Sequence, residues 1–149
     1  MTPQFKHLID LRVDVGAPTV ISGGMPGRRF IPILGGIVEG QLNGIVLPGG
    51  GDWQNIEPDG TLDIDAHYVL DIRDHGTVEV CSQGVRSANP AVLAALGRGE
   101  PVDPSLYYFR TFIRLKTGAP GLVRLNHALF VAMGARAASA VRLNVFEIS

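Results

Sequence analysis

One cysteine, Cys81, stands in 149 residues. No disulfide can staple the chain internally, and a reducing cytoplasm is the simplest home for it. Long apolar runs are also missing. No stretch approaches the length of a membrane-crossing helix, and the opening MTPQFKHLIDLRVDV lacks the apolar core of a signal peptide. Nor is there an excess of charge of either sign: 13 Lys and Arg face 14 Asp and Glu, a formal net charge of -1. That balance predicts no pull toward nucleic acid or an anionic membrane. The four histidines include no pair at ligand spacing, so no metal is expected. Gly49-Gly50-Gly51 is not followed by Gly-Lys-Ser/Thr and lacks the strand-to-helix setting of a phosphate loop, which argues against a nucleotide site. The expected partner is a small molecule, without a cofactor.

What remains is globular. Hydrophobic residues make up 46% and charged residues 18%, enough for residues 1–149 to bury a single core as one domain. Nineteen glycines and ten prolines imply many turns and many short elements. Leu8 to Val15 alternates, with Ile9, Leu11, Val13 and Val15 on one face and Asp10, Arg12 and Asp14 on the other, a half-buried strand. Ala66 to Arg73, Thr77 to Ser82, Leu106 to Lys116 and Ala140 to Ile148 also read as strands, and Asp74-His75-Gly76 as a hairpin turn. Arg28 to Leu34 is strand-like, with Pro32 suggesting an edge or a bulge. Leu122 to Met133 reads as a strand with a bulge near Asn126. One short helix is expected near 89–97, capped by Asn89, with Pro90 in its first turn and Gly97 and Gly99 ending it. About eight to ten strands with one short helix favour an all-β chain. The expected form is a closed or nearly closed antiparallel β-barrel, lipocalin-like in general architecture; a two-layer sandwich is the alternative.

The residues from Gly35 to Gly76 attract most of the chemistry and are expected to form the barrel mouth. Asp52-Trp53 places a lone acid beside the only tryptophan, in a glycine-dense bend. Partial desolvation there would raise the acid's pKa and suit it to proton transfer. The competing role is a bend-capping aspartate beside a tryptophan plug. Asp63, Asp65 and His67 share one face of a strand, with Tyr68 next to them. In the strand from Leu106, Tyr108 and Arg110 share a face. Arg110 could clamp a carboxylate or steady an enolate, with Tyr108 as hydrogen-bond donor, if that face points inward. Pointing outward, the arginine stems would simply cover apolar surface. Asn126 interrupts an apolar segment and could orient a ligand carbonyl or satisfy backbone at a bulge. Gly84 to Arg86 lies near a turn before the helix and could add a cationic contact, although a solvated arginine is the default.

Gly35-Gly36, Glu39-Gly40, the Gly44-to-Pro48 strand and Gly49-Gly50-Gly51-Asp52-Trp53-Gln54 occur in one order with Asp59-Gly60-Thr61, Asp65 and Tyr68. Tyr108-Phe109-Arg110-Thr111, Leu125-Asn126 and a valine-containing final strand follow. Together they resemble the bacterial and fungal family called domain of unknown function 3237, or uncharacterised protein family 0311. The resemblance covers nearly the whole chain and implies a small all-β barrel, without an assigned activity. The polar positions it marks are Glu39, Asp52, Trp53, Asp65, Tyr68, Arg110 and Asn126.

The leading expectation is a cofactor-independent isomerase, cyclase, hydratase or lyase acting on a small, partly aromatic carbonyl compound. Asp52, Arg110 and Tyr108 would be catalytic, and Glu39, Trp53, Asp65, Tyr68 and Asn126 would bind substrate. The alternatives are a non-catalytic ligand-binding barrel and an oligomeric interaction module whose apolar final strand pairs between subunits in a homo-oligomer.

Overall fold

The computed structural model describes residues 1–149. Its strands are β1 (Phe5–Val15), β2 (Thr19–Ser22), β3 (Gly27–Gly40), β4 (Gly44–Val46), β5 (Gly51–Ile56), β6 (Leu62–Ile72), β7 (Gly76–Ser87), β8 (Tyr108–Lys116), β9 (Leu129–Arg136) and β10 (Ala140–Ile148). One α-helix, α1 (Pro90–Gly97), and two 3-10 segments, Pro104–Leu106 and Pro120–His127, complete it. No helix is long and apolar enough to cross a membrane.

The sheet runs β1-β10-β9-β8-β7-β6 and returns through β4 and β5 to β3, which pairs with β1. All pairings are antiparallel, and the circuit closes. A sandwich is thereby excluded. Short β4 and β5 lie end to end in one place between β3 and β6, so the closed barrel has eight positions. β2 adds a short edge beside β3. Eight strands leave an interior wide enough to be filled by side chains or to hold one small ligand.

Long β3 serves both sides of the closure because it bends at Gly35-Gly36, where φ is +152° and +149°. A Cβ on Gly36 would run into the Arg12 carbonyl oxygen on β1, so the corner needs glycine. The ladder to β1 slips between Asp14 and Val15 beside the same corner, and the inward-facing set shifts with it. Ile31 and Ile33 are buried before the bend and Val38 after it.

The interior divides along the barrel axis. At one end Ile9, Val38, Leu70, Ile72, Val78, Val80, Ile113, Leu115, Phe130 and Val145 are fully or almost fully buried. The segment Pro120–His127 closes this end with Leu122 and Leu125. The strand expected from Leu122 therefore begins only at Leu129. Leu122 and Leu125, three apart, share one face of a 3-10 turn, and this spacing outweighs the weak alternation. Helix α1 matches its expected bounds: Asn89 Oδ1 accepts from the Val92 N–H at 2.9 Å. The final strand β10 is paired on both edges, by β1 and β9, and has no free edge to offer another subunit. Gly35 to Gly76 supplies β4, β5, β6 and half of β3, a full-length wall of the barrel rather than its mouth.

Candidate functional site

The other half of the barrel is not filled. A cavity of about 80 Å³ lies there, and each of the eight positions around the barrel sends side chains to it. Its apolar lining comes from Val13, Ile31, Ile33, Leu62, Ile64, Phe109 and Leu143, and its polar lining from Arg29, Asp52, Gln54, Tyr68, Ser82, Arg86, Thr111 and Arg136. Strand alternation produces this set. Asp52 and Gln54 share one face of β5, and Ser82 and Arg86 share the face of β7 that carries Val78 and Val80.

Asp52 is the only acid lining the cavity. Its Oδ1 accepts from the Asp65 backbone N–H at 2.9 Å, where the β5–β6 ladder is interrupted, and its Oδ2 accepts from Gln54 Nε2 at 2.6 Å. Gln54 Oε1 in turn accepts from Arg29 Nε at 2.7 Å. Arginine only donates and a carboxylate only accepts, so the amide between them has one orientation that satisfies both. Burial pushes the Asp52 pKa up. The Gln54 and Asp65 hydrogen bonds and the Arg29 charge pull against it without cancelling it.

Across the cavity the balance is cationic. Arg29, Arg86 and Arg136 face a single carboxylate. Burial, then repulsion from Arg29 and Arg136, brings the Arg86 pKa down to about 10, so it stays protonated at neutral pH. Arg136 is anchored, donating from its guanidinium to the Ala140 and Ala138 carbonyls at 3.2 and 3.5 Å. Tyr107 Oη accepts from the Arg136 backbone N–H at 2.9 Å. Three buried polar atoms have no protein partner: Tyr68 Oη, Arg86 Nε and Thr111 Oγ1. Their residues are 3%, 8% and 4% exposed. Burial, with a smaller push from the Asp52 charge, holds the Tyr68 phenol protonated well above its ordinary range. The arrangement can therefore exchange a proton at Asp52 and donate hydrogen bonds or positive charge to an oxygen opposite it.

Of the residues expected to be catalytic or to bind substrate, the structure brings Asp52 and Tyr68 together at this cavity and leaves the others outside it. Trp53 lies on the outer face, its ring centroid 4.6 Å from that of Phe30, with Arg28 above it. The Asp65 side chain also points outward and accepts from Gln83 Nε2 at 3.2 Å, although its backbone N–H serves Asp52. Arg110 and Tyr108 stack on each other outside the barrel, the guanidinium 5.1 Å from the ring centroid, because Phe109, Thr111, Ile113 and Leu115 take the inward face of β8. Asn126 is occupied with backbone: its Oδ1 accepts from the Thr117 N–H and its Nδ2 donates to the Thr117 carbonyl, at 2.8 and 2.9 Å. Glu39 is exposed on the outer surface. His67 also faces outward, 2.8 Å from Glu79 across the β6–β7 pair. A site that needs Arg110, Tyr108 or Asn126 inside the barrel is incompatible with this geometry.

The arginines are what the sequence reading missed. Each carries a readable signal: Arg29 falls in phase with Ile31 and Ile33, Arg86 with Val78 and Val80, and Arg136 with Phe130 and Ala132. A cation in phase with a buried apolar face marks an interior charge. Arg86 was expected to be solvated in a turn before the helix because β7 was expected to end at Ser82, whereas it continues to Ser87 and carries Arg86 inward.

The model of the family described as "Protein of unknown function (DUF3237)" matches residues 3–148. The chain belongs to that family. Rhodopseudomonas palustris has a relative, UPF0311 protein RPA1785, which is 40% identical over 154 residues, covering 99% of both chains. Its crystal structure superposes with a TM-score of 0.95 over 100% of this chain and 99% of that one. A β-barrel-like protein from Acinetobacter baumannii is 30% identical, with a TM-score of 0.86 over 100% of this chain and 98% of that one. A protein from Penicillium herquei described as an enzyme shares the fold at 17% identity, with a TM-score of 0.76 over 100% of this chain and 96% of that one.

Proposed function

We propose that this family member is a cofactor-independent enzyme of the isomerase, cyclase, hydratase or lyase type. It acts on a small carbonyl compound held in the half-empty barrel. The observation that carries this reading is a lone carboxylate, Asp52, facing a cavity whose other polar groups are cations and hydrogen-bond donors. Asp52 takes a proton from carbon or oxygen of the substrate, or returns one. The Tyr68 hydroxyl and the Arg86 guanidinium receive the charge that develops on the carbonyl oxygen. Gln54 and Arg29 fix the carboxylate so that little reorganisation is needed at the moment of transfer. Phe109 and the aliphatic lining suit a partly aromatic body.

The reading is tested by incubating a panel of enolisable aryl ketones and aryl keto acids with the protein in D2O and following exchange and product by NMR. At least one compound should exchange or react faster than in buffer. Asp52→Asn should reduce that rate by about 100-fold or more, whereas Arg110→Ala, on the outer surface, should leave it unchanged. If no compound in the panel reacts, or Asp52→Asn keeps the full rate, the catalytic reading fails and a binding barrel takes its place.

We also infer that the protein self-associates through its outer surface rather than through a strand edge. Phe5, Tyr108, Phe112 and Met133 lie along one external groove and are 60%, 54%, 55% and 46% exposed. Such contiguous apolar exposure marks interaction sites.

A further inference from the structure

We propose that the ligand of this cavity is an organic carboxylate with an apolar body, its carboxylate held by Arg86 and Arg136 and its body lying against Phe109 and the aliphatic wall. The proposal rests on the reading of the cavity as a ligand site, but not on catalysis there.

Three features converge on it. The first is charge. Three arginines and one aspartate line the same cavity, so even with Asp52 ionised the interior carries an excess of positive charge. Asp52 is already engaged by Gln54 and the Asp65 N–H, and its nearest cationic partner is Arg29, acting through Gln54. Arg86 and Arg136 are left without a carboxylate. Arg136 leans on two backbone carbonyls, which orient it but do not neutralise it.

The second is unspent hydrogen-bonding capacity. Arg86 is 8% exposed, and its Nε has no protein partner. Keeping a guanidinium out of water without a partner is strongly unfavourable. A folded chain tolerates it where the free energy is recovered on binding. Repulsion from Arg29 and Arg136 contributes to the lowered pKa of Arg86, so the three cations sense one another. An anion between them would relieve all three. The hydroxyls of Tyr68 and Thr111, also unpartnered and buried, can supply further donors.

The third is the match in donors and shape. The guanidinium groups of Arg86 and Arg136, with the hydroxyls of Tyr68 and Thr111, meet the acceptor capacity of a carboxylate. An ion that filled only the cationic corner would leave the wall bare, whereas an acid with an aryl or alkyl body covers both.

The test compares acids with their neutral amides: benzoate against benzamide, phenylacetate against phenylacetamide, and hexanoate against hexanamide. Inorganic phosphate is run alongside at pH 7, with melting temperature and calorimetric titration as readouts on the whole protein. At least one acid should bind and raise the melting temperature while its amide does not. Arg86→Met should weaken that acid by about 30-fold or more. Without ligand, Arg86→Met should melt higher than the parent by about 3 °C or more, since an arginine kept for a ligand burdens the empty fold. Equal behaviour of acid and amide in every pair, including no binding by any, overturns the proposal. So does stabilisation by phosphate but by no carboxylate, or an Arg86→Met protein that melts lower and responds to acids as the parent does. Asp52→Asn separates this from the catalytic reading: it should bind the acid as well or better, having lost a competing negative charge. Retained acid binding with no turnover in the parent would sink catalysis alone.

Discussion

At Asp52, desolvation and hydrogen bonding act in opposite directions on one proton, and desolvation prevails. The folded protein therefore holds that proton more tightly than the unfolded chain does. The resulting contribution to stability is fully present below the ordinary carboxylate value of 3.8 and is lost as pH rises through the raised value. In urea titrations at a series of pH values, Asp52→Asn should gain stability relative to the parent across that window and hold a constant difference above it. A difference that stays flat with pH would mean the carboxylate is not perturbed. Replacing Gln54 by Leu removes one of the bonds that lower the Asp52 pKa. The carboxyl carbon of Asp52 should then titrate at higher pH than in the parent, which NMR of the labelled protein would show. Asp52 was legible in the sequence as an acid in a glycine-rich bend beside an aromatic residue. Its neighbour Trp53 belongs to the opposite face of the same strand, as period-two alternation requires, so adjacency in sequence was misleading about adjacency in the site.

Among the elements, β3 carries the heaviest geometric demand, pairing with β1, β2, β4 and β5 along its length. Its corner at Gly35-Gly36 makes this feasible. Gly36→Ala should lose about 3 kcal/mol of unfolding free energy, measured by denaturant titration, because the added methyl meets the Arg12 carbonyl and the backbone sits at positive φ. A loss below about 0.5 kcal/mol, the scale of an ordinary surface substitution, would show that the corner relaxes. The sequence revealed α1 well because an asparagine cap, a following proline and a terminal glycine all agree. It did not reveal the helical segment at Pro120–His127, because Leu122, Val123 and Leu125 satisfy a strand pattern and a three-residue period at once. Only packing against the barrel end decides between them. The extension of β7 through Gly84 was hidden for a related reason. Glycine reads as a stop, yet here it lets β7 approach β8, where a side chain would strike the Arg110 carbonyl.

For the whole molecule, closure removes most edges, and only the short β2 remains as a free rim. The self-association proposed above then has to use a face. The external groove at Phe5, Tyr108, Phe112 and Met133 should carry it. Phe112→Glu should shift sedimentation toward a smaller species while leaving the melting temperature within about 2 °C, because Phe112 points away from the core. Sedimentation of the parent as a monomer would sink this expectation. The barrel itself could be anticipated because alternation recurs along most of the chain and turns punctuate it at short intervals. The division of its interior into a packed end and a charged end could not, because it depends on where eight registers bring their inward residues to the same height.

The pairing of β1 with β10 bears on how the chain is made. As the chain leaves the ribosome, β1 emerges before the other strands of the barrel and can find β3 within some thirty residues, but its other edge must wait for Ala140–Ile148, the last strand of the circuit. Until then the growing chain is an open, curved sheet with an unpaired apolar edge, the kind of intermediate that invites wrong partners. The ring can be completed only once β10 has been made, and the cavity exists only from that moment.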